Sequence, residues 1–295
     1  MKKVIFIGGT ARSGSTLLDL ILANDTKVMS LGEIYALFRP TRKHHFEEIK
    51  KLKQDPVWSK ILKDGKKLLY PNLIKYYPDI DIFVDSSKDP FWFSFHEKIK
   101  TQSYQIKHVL IYKSPEELAK SFIKRGKHFE WIKTYINYHK KYFSLINSFV
   151  SISYKELLQN DESLKKLCKW LGIEYFKGKK NYWEKEHHSF FGSNSVKSSD
   201  ALDAIKQLNK YNRKVLSYEK PDESTITFVN QQLKKHKKIN TVYNAIRERS
   251  VTTNQNKPLT LSLKYNRFQL SISKIKKEIL NLIRYYRPKN YFKKT

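Results

Sequence analysis

Cysteine is nearly absent. Cys168 stands alone among 295 residues, so no disulfide can form within the chain and no cysteine cluster is available for zinc. Acid is also in short supply, with 28 Asp and Glu against 58 Lys and Arg, which leaves a net charge of +30. Long apolar runs are missing too: nothing approaches the roughly 20 residues of a membrane-spanning helix. The apolar stretch Val4–Ile7, after Met1-Lys2-Lys3, ends at Gly8-Gly9, too short for the core of a secretory signal. These absences lead to the expectation of a cytoplasmic protein without structural disulfides or a structural metal. Apolar mass is not lacking: hydrophobic residues make up 40% and aromatics 14%, enough for one good core and against global disorder.

The charge is uneven. Residues 231–295 hold seventeen basic and two acidic residues, a net +15, so the first 230 residues carry the other half. The reading is a main domain over 1–233 and a basic C-terminal extension over 234–295, opening at Lys234-Lys235-His236-Lys237-Lys238, with a polar linker near 250–260. Within the extension, Phe268, Ile272, Ile275, Ile279, Leu282, Ile283 and Tyr286 recur at helical spacing. Two readings stay open: a helix packing its stripe on the main domain, or a basic amphipathic helix on anionic lipid at the inner membrane surface. Charge alone also admits nucleic acid, but no zinc finger, RNP aromatic pair or helix-turn-helix pattern is present, so none is expected.

Strands are predicted at 4–7, 81–85, 108–112 and 149–153, and helices from about Ser15, over 45–76 with Pro56 opening a second one, from Phe91, from Pro115, over 129–147 and over 161–171. Alternating strands and helices, with strands apolar on both faces, predict an α/β fold: a P-loop-like parallel sheet flanked by helices, with a basic helical C-terminal extension. Ligands of such sheets bind beyond the carboxyl ends of the strands, which directs attention to the loop after each strand.

After the first strand comes Gly8-Gly9-Thr10-Ala11-Arg12-Ser13-Gly14-Ser15-Thr16. Glycines, hydroxyls, a guanidinium and a following helix N-terminus suit a phosphate. The spacing Gly9 to Gly14 matches a Walker A loop, but Ser15 holds the place of its lysine, which weakens a kinase or NTPase reading. Asp85, after three apolar residues, keeps that reading open as a Walker B candidate. After the third strand, Lys113-Ser114-Pro115 is followed eight residues on by Ser121. Later come Tyr154-Lys155-Glu156-Leu157-Leu158 and Phe190-Phe191-Gly192, with Lys197 beyond. The pair His187-His188 has no third ligand at metal-binding spacing.

Taken in order, Arg12–Thr16, Lys113 with Ser121, and the Tyr154 stretch running to Leu171-Gly172 resemble the sulfotransferases that use 3′-phosphoadenosine 5′-phosphosulfate (PAPS). The resemblance spans about residues 3–200. It implies that Arg12, Ser13, Gly14, Ser15 and Thr16 hold the donor's 5′-phosphosulfate. Lys113, Ser121 and Lys197 would hold its 3′-phosphate, and Tyr154 and Phe191 would meet the adenine. Lys113-Ser114-Pro115 departs from the usual Arg-Asp-Pro and gives up bidentate contact. Ser30-Leu31-Gly32-Glu33 resembles the Gly-Glu of tyrosylprotein sulfotransferases, and Asp85-Ser86-Ser87-Lys88 a stretch of many bacterial members. Glu33 is then the expected general base, with His44 or His45 next, while Arg12 and Lys88 would carry the sulfuryl charge. No metal is expected. The acceptor is a hydroxyl, with a glycan or glycolipid favoured over tyrosine or a small phenol. A non-catalytic, basic membrane-binding protein is the remaining alternative.

Overall fold

A computed structural model describes residues 1–193, 217–253 and 259–286. Five strands form one parallel sheet: β1 (Lys2–Gly8), β2 (Val28–Gly32), β3 (Ile82–Asp85), β4 (Tyr104–Tyr112) and β5 (Val150–Ser153), in the order β2-β3-β1-β4-β5. The chain leaves β1 toward one edge and β4 toward the other. The carboxyl ends of β1 and β4 therefore flank the point where strand order reverses, where ligands of open α/β sheets gather.

The core explains why β1 reads as an unbroken apolar run. Val4 and Phe6 face one buried cluster, and Ile5 and Ile7 face the other. Alternate side chains point to opposite faces, and both faces are covered. On the Ile5 side lie α1 (Ser15–Leu22), α8 (Tyr154–Gln159) and α9 (Asp161–Leu171). The Phe6 side is covered by α3 (Pro56–Asp64), α4 (Leu69–Tyr76), α5 (Pro90–Ile99), α6 (Pro115–Ile123) and α7 (Glu130–Leu145), and α2 (Lys43–Leu52) packs near the turn Ile34–Leu37 that follows β2.

Local signals set the helix starts. Asp89 caps α5 by accepting from the Phe91 and Trp92 amides, and Pro90 takes the first position, where its missing N–H costs nothing. Ser114 and Glu117 form a reciprocal capping box at α6, as do Ser153 and Glu156 at α8. Each cap ends its strand abruptly, which leaves Lys113 and Tyr154 at the sheet's carboxyl edge. Helix α9 stops at Gly172, as expected from its left-handed φ of 71°.

Two features were not anticipated. Val28–Gly32 is a fifth strand. The expected boundary at 233–234 falls inside α10 (Glu223–Lys235), and α11 (Lys238–Arg247) sends Ile239, Val242 and Ile246 into the core. The chain then pairs with β5 through Ser151 N–H to the Arg249 carbonyl (2.7 Å) and Val251 N–H to the Ser151 carbonyl (2.9 Å). Residues 234–251 are therefore built into the sheet edge. Their apolar residues recur at helical spacing, but the surrounding lysines masked this in the charge count. The last described helix is α12 (Arg267–Tyr286). Among the described residues, no helix is long and apolar enough to cross a membrane.

Candidate active site

A cleft of about 1100 Å³ opens at the carboxyl edge of the sheet. Its floor is the loop from β1 to α1, with Arg12, Gly14, Ser15 and Thr16 in the lining, and Lys113 and Tyr154 rise beside it from the ends of β4 and β5. Glu33, Lys88 and Phe191 face the cleft from the β2 and β3 side. Ten Lys or Arg side chains line it against two acids, Glu33 and Asp89.

Backbone strain converges on the same place. Three non-glycine residues among those described have left-handed φ: Arg12 (74°), Lys88 (61°) and Phe191 (54°). All three line this cleft. Such conformations cost free energy and cluster where a side chain must be presented in one direction.

The floor suits an anion. Gly14 caps α1 at φ 100° and has no side chain, so no capping side chain occupies the first-turn amides. A Cβ there would lie 2.5 Å from Cδ2 of Tyr154, so only glycine lets that ring close on the loop. Arg12 Nε is buried without a protein partner; Ser13 Oγ is too, but Ser13, expected at the phosphosulfate, is not in the cleft lining. A donor such as Arg12 Nε is what an oxyanion satisfies. Burial pulls the Arg12 guanidinium below its usual pKa, and the charge of Arg125 adds to the shift. One expected donor is otherwise engaged, and one expected hydroxyl accepts a hydrogen bond while keeping its own proton to donate. The Gly9 amide donates to the Tyr138 hydroxyl (2.7 Å), and Thr16 Oγ1 accepts from the Ser193 amide (3.1 Å).

Lys113 stands 4.3 Å from the centre of the Tyr154 ring. Burial lowers its pKa to about 8; Glu117 opposes the shift, while Arg12 and Arg125 add to it. Ser121, expected beside Lys113 at one phosphate, is not in the cleft lining. Its carbonyl accepts from Arg125 Nη1 at 2.8 Å, and Oγ lies at 3.5 Å from the same nitrogen. Arg125 thus joins Arg12 and Lys113 electrostatically, a cation the motif reading missed although it sits one helical turn beyond Ser121. Lys197 lies outside the described residues.

On the opposite side, Lys88 Nζ donates to Glu33 Oε1 at 2.5 Å and to the Ser86 carbonyl at 3.3 Å. Glu33 is held by its own backbone: its amide donates to the Phe190 carbonyl (2.7 Å), and Phe190 N–H donates to the Leu31 carbonyl (3.3 Å). Gly32 permits this pairing, since a Cβ would fall 2.0 Å from the Phe190 oxygen. Phe191, expected at the adenine, lines the cleft and packs on His45 (4.5 Å between ring centres) and His44 (5.7 Å). Both histidines feel the charge of Glu33. Burial, with His44 and Arg42 adding to it, lowers the His45 pKa to about 4. Its Nδ1 accepts from the Thr41 amide (3.1 Å), so the ring is neutral with its proton on Nε2.

Asp85, the Walker B candidate, is absent from the lining. It is fully buried and accepts from the Tyr70 hydroxyl, Trp92 Nε1 and the Ser87 amide, each at 2.7 Å. That makes it an organiser of the β3 end, not a metal-facing acid. Among the described residues, no group of three or more His, Cys, Asp or Glu is placed to hold a metal ion.

The cleft's last wall is α12. Lys277 pairs with Asp89, and its carbonyl accepts from Arg39 Nη2 (3.0 Å). Lys276, Leu280 and Arg284 complete that wall.

No family model matches the chain, and no curated protein matches it. Among solved structures it is similar to the sulfotransferase domain from the Synechococcus PCC 7002 olefin synthase, at 15% identity and TM-score 0.47, over 78% of this chain and 94% of that one. It is also similar to the sulfotransferase domain from the curacin biosynthetic pathway, at 15% identity and TM-score 0.45, over 79% of this chain and 98% of that one. Both likenesses are too distant to say which residues act here.

Proposed function

We propose that the chain transfers a sulfuryl group from PAPS to an acceptor hydroxyl. The reading rests on one observation above all. Arg12, held in a left-handed turn at the end of β1 with a buried, unpartnered Nε, shares a cleft with Lys113 on one side and the Lys88–Glu33 pair on the other.

In this reading the α1 amides, Ser15 and Arg12 take the 5′-phosphosulfate. Lys113, with Arg125 behind it, takes the 3′-phosphate, and Tyr154 closes on the adenine side. Glu33 accepts the proton of the acceptor hydroxyl. The acceptor oxygen forms its bond to sulfur while the bond from sulfur to the 5′-phosphate oxygen breaks. Adenosine 3′,5′-bisphosphate leaves with that electron pair. Lys88, exchanging Glu33 for sulfuryl oxygens, and Arg12 stabilise the charge that develops, as fixed cations do in phosphoryl transfer.

The acceptor wall is cationic as well, through Arg39, Arg42, Lys133 and Lys141. A hydroxyl-bearing acceptor that itself carries phosphate, sulfate or carboxylate fits it best, within the favoured glycan or glycolipid class. A kinase or NTPase is less well served, with Ser15 in the place of the Walker lysine and Asp85 taken up by Tyr70, Trp92 and Ser87. The experiment is transfer of labelled sulfate from PAPS to anionic glycan and glycolipid pools. The expected result is transfer that Arg12→Ala lowers about 10²–10³-fold. Absence of transfer to any hydroxyl pool, with phosphate transfer from ATP instead, would overturn the reading.

A further inference from the structure

Helix α12 turns its apolar stripe outward. Phe268 is 72% exposed, Ile275 55%, Ile279 50% and Leu282 57%. At these spacings the four share one face. A helix packed on a globular domain does the reverse and buries its apolar face. Of the two readings left open, packing of the stripe on the main domain is not seen for these four residues. The domain is met by another face, through the Lys277–Asp89 ion pair and the Arg39 contact to the Lys277 carbonyl. Isolated exposed apolar residues need no explanation, but an aligned row on a helix pinned at a cleft rim does.

Charge indicates what covers the row. Helix α12 carries five Lys or Arg and one Glu. Beside its start, Lys140 lies 5.4 Å from the centre of the Tyr265 ring, and Lys140 in turn feels the charge of Lys238, at the end of the Lys234–Lys238 run. The basic run thus lies near the start of α12. A second copy of the chain would bring these like charges together across a twofold interface. A bilayer with anionic headgroups offers negative charge and an apolar interior in one surface.

We propose that α12 is a membrane-docking helix. Phe268, Ile275, Ile279 and Leu282 seat at the headgroup–acyl boundary of an anionic bilayer, and Lys234–Lys238 meets headgroup phosphates. Because another face of the same helix lines the cleft, docking holds the cleft mouth at the bilayer surface. The inference does not rest on sulfuryl transfer.

The test is sedimentation of the full chain with phosphatidylcholine vesicles, with and without phosphatidylglycerol. The expected result is binding only when phosphatidylglycerol is present, weakened by at least about tenfold in the Ile275→Glu/Ile279→Glu double variant. Both positions are exposed, and an unchanged unfolding midpoint confirms that the variant folds. A second readout uses Ile279→Cys carrying an environment-sensitive dye; the native thiol, Cys168, is buried. Its emission should shift to the blue on phosphatidylglycerol vesicles. Three results would overturn the proposal: no binding to either vesicle, equal binding by the double variant, or a dimer in solution that the double variant abolishes while the dye stays unshifted.

Discussion

The two walls of the cleft are assembled in different ways. The wall at the ends of β1, β4 and β5 is local: Arg12 to Thr16 are consecutive, Lys113 precedes its helix cap by one residue, and Tyr154 follows its own. The facing wall is gathered from distant parts of the chain. Glu33 follows β2, His45 lies on α2, Lys88 and Asp89 follow β3, and Lys277 reaches Asp89 from nearly the end of the described chain. A charged nucleotide can be grasped by strand ends and helix starts alone. An acceptor pocket needs shape, and shape comes from tertiary packing. The variants that follow probe one wall without the other.

The largest effect is expected from Arg12→Ala, which removes the one guanidinium on the floor: turnover should fall about 10²–10³-fold in a labelled-sulfate assay. Glu33→Gln should cut turnover about 10²-fold while leaving bisphosphate affinity, measured by calorimetry, within about twofold. If Glu33→Gln keeps full activity, the proton goes elsewhere and His44 is tested next. His45 is the weaker candidate, because its Nδ1 lone pair already accepts from the Thr41 amide. Lys113→Ala belongs to the first wall and should weaken bisphosphate binding by about 10–100-fold, the worth of a charged hydrogen bond, without changing acceptor preference.

The pH dependence follows from the same residue. Burial lowers Lys113 to about 8. The group is charged below that value and neutral above it, so bisphosphate affinity should be highest near about pH 7 and decline toward about pH 9. Lys113→Arg should flatten the decline. Gly14→Ala places a Cβ against Tyr154 at a positive φ and should cost about 1–3 kcal/mol in denaturant unfolding. Lys277→Ala removes a partly exposed ion pair between α12 and Asp89 and should cost less than about 1 kcal/mol, while loosening acceptor selectivity.

Sequence patterns announced most of the first wall because its signals are short-range. A strand, glycines, hydroxyls and a helix start within a dozen residues identify an anion loop, and Pro115 and Gly172 mark helix ends where the structure has them. The same patterns missed β2, since five residues of Val-Met-Ser-Leu-Gly carry no alternation to separate strand from loop. They missed Arg125, which matters through its proximity to Arg12 and not through any spacing rule. They missed the pairing of Glu33 with Phe190, 157 residues apart, on which the position of the carboxylate depends. The stripe on α12 was visible as a period, but a period cannot say which side of a helix meets the protein. There the sequence left two readings open, and the exposure of Phe268, Ile275, Ile279 and Leu282 separates them.

Calorimetry with adenosine 3′,5′-bisphosphate in the presence of a chelator tests the central claim most directly. The account predicts saturable binding by the native chain, little competition from ATP, and loss of the heat signal in Arg12→Ala. Binding that requires Mg²⁺ and prefers ATP, or bisphosphate binding untouched by Arg12→Ala, would contradict it.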